Sequence, residues 1–117
     1  MALRCLIVDD SEAFLASASG LLSAQGLEVV GLASSRAEAL RLAERLRPDV
    51  TLVDVELGEE DGLEVARELA GRAPASRAVL ISTHPQDELG EVIAESPAAG
   101  FLAKTALSAA AIAELVD

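Results

Sequence analysis

Short apolar runs, each delivering a polar or charged residue at its far end, recur along this chain with helical spacing between them, and that rhythm restricts the fold more than any other feature. Val50-Thr51-Leu52-Val53 ends on Asp54, with Pro48-Asp49 before it and a loop from Gly58 to Gly62 after it. Leu3 to Val8 leads in the same way into Asp9-Asp10, Arg77 to Ile81 into Ser82, and Ala99-Gly100-Phe101-Leu102-Ala103 into Lys104. Runs of this length, rich in β-branched residues and bounded by turn formers, read as strands. Because they are nearly all apolar instead of alternating, they are expected to be buried on both faces, as in a parallel sheet covered by helices.

The intervening segments supply the helices. From Ser11 onward, Phe14, Leu15, Ala18, Leu21 and Leu22 fall at one-face helical spacing until Gly26 stops the pattern, and Leu27 to Leu32 reads as another strand. Ser35-Arg36-Ala37-Glu38 has the form of a capping box and opens a helix carrying Ala39, Leu40, Ala43 and Leu46 up to Pro48. Asp61-Gly62 starts a third helix with Leu63, Ala66, Leu69 and Ala70 on one side, closed by Gly71 to Pro74. A short fourth helix carries Leu89, Val92 and Ile93, and Thr105 or Ser108 caps a last one with Leu107, Ala111, Ile112 and Leu115. The order is (βα)5, so the expected architecture is a five-stranded parallel sheet with right-handed crossovers and helices on both faces. A unit of this size most often takes the flavodoxin-like strand order 2-1-3-4-5, whose switch point between the first and third strands would bring Asp9-Asp10 beside Asp54.

The 117 residues are read as one domain, 1–117, and the formal charge of -11 argues against direct nucleic-acid binding by it. Phe14 and Phe101 are the only aromatic residues, so the core is expected to be aliphatic and Ala-rich. The lone Cys5 cannot form an internal disulfide, which suits a reducing compartment. Without an apolar stretch near the ~20 residues of a membrane span or the shape of a signal peptide, the expected location is cytoplasmic, away from membranes.

Three carboxylates at one rim repel: at an effective dielectric near 20, two like charges ~4 Å apart cost ~4 kcal/mol. A cation should fill the gap, and hard oxygen ligands suit Mg²⁺. Lys104 can add a second positive charge and Ser82 a hydroxyl, which together make the parts of a phosphoryl-transfer site with a carboxylate nucleophile. Glycine-rich phosphate loops of the G-x-x-x-x-G-K-[ST] and G-x-G-x-x-G types are absent.

These motifs resemble the receiver domains of bacterial two-component response regulators. The matching stretches are Leu-Ile-Val-Asp9-Asp10-Ser, Leu-Val-Asp54-Val with Asp61-Gly62-Leu63 downstream, Leu-Ile-Ser82, and Gly100-Phe101-Leu102-Ala103-Lys104, in the right order at the right strand ends. The resemblance implies that Asp54 accepts a phosphoryl group from a histidine kinase or a small phosphodonor. It implies Mg²⁺, or Mn²⁺ in its place, bound by Asp9, Asp10, Asp54 and the backbone carbonyl of Glu56. Ser82 and Lys104 would hold the phosphoryl oxygens, Ser82 and Phe101 would act as the switch, and Glu56 and His84 would tune dephosphorylation. The surface of the fourth helix, fifth strand and fifth helix would then change, controlling a partner, a homodimer contact or a C-terminal DNA-binding output domain beyond this chain.

Two departures stand out. Most members place Pro after the fifth-strand lysine, often behind a cis peptide bond, where this chain has Thr105; a trans bond is expected here, since cis before a non-proline costs ~2.5 to 4 kcal/mol. The loop after Asp54 reads Gly58-Glu59-Glu60-Asp61 where a Pro-Gly turn is common. In this reading the domain is a regulatory phosphoacceptor and not an enzyme with a substrate of its own. The alternative is an aspartate-nucleophile, Mg²⁺-dependent phosphohydrolase. Such enzymes want an Asp two residues after the nucleophile, where Glu56 stands, and a cap that this length does not provide. A degenerate receiver that works without phosphorylation is disfavoured because every key position is filled.

Overall fold

The computed structural model of the protein describes residues 2–83 and 96–116. Strands β1 (Arg4–Val8), β2 (Glu28–Ala33), β3 (Val50–Asp54), β6 (Arg77–Ser82) and β7 (Gly100–Ala103) form one sheet in the order β2-β1-β3-β6-β7. All of its pairings are parallel. With the two short strands of a hairpin (β4 Glu56–Leu57, β5 Glu60–Asp61) set aside, this is the expected flavodoxin-like order.

The period of two along each central strand divides the core into two layers. Leu6 and Val8 of β1, Val53 of β3, Leu80 of β6 and Phe101 of β7 pack with Leu40 and Ala43 of α2 (Arg36–Leu46) and Val65 and Leu69 of α3 (Gly62–Arg72). Their neighbours Cys5, Ile7, Leu52 and Ile81 face the other way, onto Leu15, Ala18 and Leu22 of α1 (Glu12–Ala24) and Ile112 of α4 (Ala109–Val116). Burial of Cys5 pushes its thiol pKa up to about 12, so it behaves as a small hydrophobic side chain.

Local sequence decides where the helices begin and end. Ser11 Oγ accepts from the Phe14 amide at 3.2 Å, and Asp61 Oδ1 accepts from Leu63 at 2.9 Å. The capping box of α2 forms on one side only: Ser35 Oγ accepts from the Glu38 amide, whereas Glu38 Oε1 reaches past Ser35 to the Ser34 amide at 2.8 Å. Helix α1 closes with Gly26 at φ 98° and the Leu27 amide donating to Leu22 O at 3.0 Å, a Schellman closure. Helix α2 closes on Arg47, which takes a left-handed conformation (φ 48°) before Pro48.

Four expectations need correction or completion. Leu21, assigned to the inner face of α1, is 44% exposed, because Leu15, Ala18 and Leu22 fill the buried stripe and Leu21 lies about 100° around the helix from Leu22. The stretch after Asp54, expected as a plain loop, contains the antiparallel pairs Glu56–Asp61 and Leu57–Glu60, with Gly58 (φ 63°) supplying the left-handed turn residue and Leu57 buried in the core. Gly71 lies inside α3, which runs to Arg72. Of the two expected caps of the last helix, Ser108 does the work: its Oγ accepts from the Ala111 amide at 3.0 Å, while Lys104–Ala106 forms a separate 3-10 turn. No cis peptide bond occurs among the described residues, as expected at Thr105. The predicted fourth helix with Leu89, Val92 and Ile93, and with it His84, lies outside the described residues.

Candidate functional site

Sheet register assembles the site at the carboxyl rim. Val8 pairs with Val53, so Asp9 leaves β1 at the level where Asp54 ends β3. Asp54 pairs with Ile81 and Ser82 with Ala103, so Ser82 and Lys104 leave their strands on the same rim. Asp9 is fully buried; its Oδ1 accepts from the Ser11 amide at 2.8 Å, and its Oδ2 lies 2.6 Å from Lys104 Nζ. Asp54 is 6% exposed, with Oδ1 accepting from the Glu56 amide at 3.0 Å and Oδ2 accepting from Lys104 Nζ at 3.2 Å. Asp10 is exposed in the same turn as Asp9, and Asp9, Asp10 and Asp54 each offer a carboxylate oxygen within 4.8 Å of the others.

Close approach of the backbone at the start of α3 makes this arrangement possible. The Gly62 amide donates to Val55 O at 3.0 Å, and a Cβ on Gly62 would stand 1.8 Å from Asp54 O and 2.9 Å from Val55 Cα. Only glycine allows α3 to begin there.

The electrostatics of the rim are in opposition. Burial, and then the charge of Asp9, push the Asp54 pKa above its ordinary value, against the Glu56 amide and the Lys104 ammonium, which favour the carboxylate. Burial works against the charge of Lys104. Its hydrogen bond to Asp9 and the charges of Asp54 and Asp9 outweigh that effect and raise its pKa. One ammonium thus serves two buried carboxylates, with Asp10 beside them. An oxygen-only donor set with a negative excess matches what a hard divalent cation requires, so the residues present fit Mg²⁺.

Of the residues singled out in the sequence, Asp9, Asp10, Asp54 and Lys104 come together, and Ser82, 1% exposed, ends its strand on the same rim. The Glu56 side chain is exposed while its amide holds Asp54. Phe101 is packed inside, 9% exposed, with Leu80. Gly62 and Phe14, which the sequence pattern marks as a helix start and a core-facing helix position, also take part in the site. The ring centroid of Phe14 lies 4.3 Å from Lys104 Nζ; the available signal was its being one of two aromatic residues in the chain, one turn after Asp10.

A doubly wound sheet with acidic residues at its switch point defines a class of α/β proteins that bind ligands at the carboxyl rim. The sequence matches the response regulator receiver domain family over residues 5–117, and the chain belongs to that family. It is 34% identical over 116 residues to response regulator GacA of Pseudomonas viridiflava, covering 98% of this chain and 52% of that protein. It is also 34% identical over 102 residues to the DNA-binding transcriptional activator DevR/DosR of Mycobacterium tuberculosis, covering 86% and 47% respectively. The chain therefore spans about half the length of these relatives. Among solved structures, the signal receiver domain of response regulator NarL from Mycobacterium tuberculosis superposes with a TM-score of 0.86 at 30% identity, over 98% of this chain and 96% of that one. No helix among the described residues is long and apolar enough to cross a membrane.

Proposed function

We propose that residues 1–117 form a receiver domain in which Asp54 is the phosphoacceptor, taking a phosphoryl group from a histidine kinase or a small phosphodonor and thereby controlling an output. The observation that carries this reading is the buried Asp54 carboxylate set between the Asp9-Asp10 turn and the Lys104 ammonium. An Asp54 carboxylate oxygen attacks phosphorus, the bond from phosphorus to the donor nitrogen or oxygen breaks, and an acyl phosphate forms. Asp9, Asp10, Asp54 and the Glu56 carbonyl would hold Mg²⁺, which when bound offsets charge on the transferring phosphoryl oxygens. Lys104 then exchanges its contact with free Asp54 for one with a phosphoryl oxygen, and the Ser82 hydroxyl donates to another. Phe101 reports the change to the surface around β7 and α4. Glu56 and His84 set how fast water removes the group.

Because the relatives are about twice as long, and one is named as a DNA-binding activator, the natural output is a C-terminal domain or partner whose activity this surface governs, by homodimer formation or direct contact. Intact mass measured after addition of Mg²⁺ and acetyl phosphate is expected to show a single phosphoryl adduct, absent in Asp54→Ala. Steady turnover of small phosphate esters without an adduct would instead establish a phosphohydrolase.

A further inference from the structure

Lys104 is the only lysine in this chain, and its ammonium is the cation that neutralises the buried end of the acidic cluster. A lysine side chain has four rotatable carbons and a compact, strongly hydrated charge, so two carboxylates on one side do not by themselves fix its position. The remaining constraint comes from α1. Phe14 sits one helical turn beyond the Asp9-Asp10 turn, and its ring faces Nζ at 4.3 Å from the centroid, well inside the ~6 Å range of a cation–π contact. The ammonium is thus held on one side by Asp9 Oδ2 (2.6 Å) and Asp54 Oδ2 (3.2 Å) and on another by the negative face of the ring, with only 15% of the Lys104 side chain exposed.

The Ser11 cap ties the ring to the same turn as the acids. Asp9 Oδ1 accepts from the Ser11 amide, and Ser11 Oγ accepts from the amide of Phe14. Acid, cap and aromatic therefore form one rigid unit at the start of α1. We infer that Phe14 is a positioning residue for Lys104: its ring holds the ammonium where it touches both Asp9 and Asp54, so the group that must meet the incoming phosphoryl oxygens is already in place. This inference rests on the reading of Asp54 as phosphoacceptor. Its own geometry can be tested without phosphorylation.

The sole lysine makes the test direct. In the wild-type protein the ε-methylene protons of Lys104 are expected upfield of free lysine because of the Phe14 ring current, with nuclear Overhauser contacts to the ring. Phe14→Leu, which keeps an apolar side chain against the core, should remove the upfield shift, and Phe14→Tyr should restore it. With Mg²⁺ and acetyl phosphate, Phe14→Leu should form the Asp54 adduct about two- to fivefold more slowly, the factor expected of an exposed-to-intermediate cation–π contact, and Phe14→Tyr should recover most of the rate. An unshifted lysine signal in the wild-type protein overturns the proposal even if Phe14→Leu fails to fold. So does a Phe14→Leu protein that phosphorylates at the wild-type rate. If the wild-type protein shows the shifted lysine but never forms an adduct, the phosphoacceptor reading fails while the ring–ammonium contact stands.

Discussion

The two rims of the same sheet follow opposite rules. At the amino rim Asp49 is matched by its neighbours: Asp49 Oδ2 accepts from the Arg4 amide at 2.9 Å, the Asp49 amide donates to Arg4 O at 2.8 Å, and Asp49 O accepts from the Arg77 amide at 3.0 Å. The Arg4 guanidinium donates to Arg47 O at 3.0 Å, and the Thr51 and Ser76 hydroxyls share a buried hydrogen bond of 2.9 Å. At the carboxyl rim two buried carboxylates share one ammonium with a third carboxylate, Asp10, beside them, and burial disfavours the charge of Asp54. The amino rim closes the fold, and the carboxyl rim keeps an unbalanced negative charge that a cation would offset. Substitutions at the first should cost stability alone; those at the second should trade stability against function.

The largest effect should come from the point where the carboxyl rim depends on backbone packing. Gly62→Ala puts a methyl group 1.8 Å from Asp54 O, and backbone cannot yield as a side-chain tip does. Urea unfolding should show a loss of about 3 kcal/mol or more, at the upper end for overpacking, and a loss below about 1 kcal/mol would mean that the start of α3 is not where it is described. Next in size is the divalent cation. At a free Mg²⁺ concentration a hundredfold above Kd, native-state binding adds about 2.7 kcal/mol and raises Tm, and EDTA should reverse it. Asp10→Ala retaining the whole increase would remove Asp10 from the metal site. At the amino rim, Thr51→Val leaves the Ser76 hydroxyl buried without its partner and should cost about 1–2 kcal/mol. The double variant Thr51→Val/Ser76→Ala should recover part of that loss while leaving Mg²⁺ binding unchanged; altered Mg²⁺ binding would show that the rims are not independent.

The sequence exposed the two rims unequally. Strands β1, β3 and β6 are buried on both faces, so their residues are apolar at nearly every position and the acids at their ends are conspicuous. The register that brings Asp9, Asp54 and Lys104 within reach follows from ladder geometry once the flavodoxin-like order is adopted. The β4–β5 hairpin was hidden because Glu56, Glu59, Glu60 and Asp61 are poor strand formers, and its pairing is imposed by Gly58 and by the burial of Leu57. Phe14 falls on the core stripe of α1 by period, so nothing in the spacing distinguished a ring packed on apolar neighbours from one that also faces an ammonium. The Asp49 network and the Thr51–Ser76 pair connect residues 45 and 25 positions apart, and no local pattern announces such contacts.

The finest separation of the rims is the titration of Asp54. Its pKa in the fold lies above its ordinary value of 3.8, so the native state holds this proton more tightly than the unfolded chain does. The resulting stabilisation is complete below the ordinary pKa and is lost as pH rises through the raised one, so at neutral pH the ionised group is a net liability in the metal-free protein. Asp54→Asn keeps an oxygen for the Glu56 amide and leaves Lys104 paired with Asp9, while removing the charge that burial and Asp9 both disfavour. In EDTA at pH 7 the variant should be more stable than the wild-type protein, read as a higher Tm. The gain should shrink as the pH is lowered toward the ordinary carboxylate range, where wild-type Asp54 is itself neutral. A wild-type protein as stable as Asp54→Asn at pH 7, or a gain that grows on acidification, would mean that Lys104 fully compensates the buried carboxylate and that the carboxyl rim is as balanced as the amino rim.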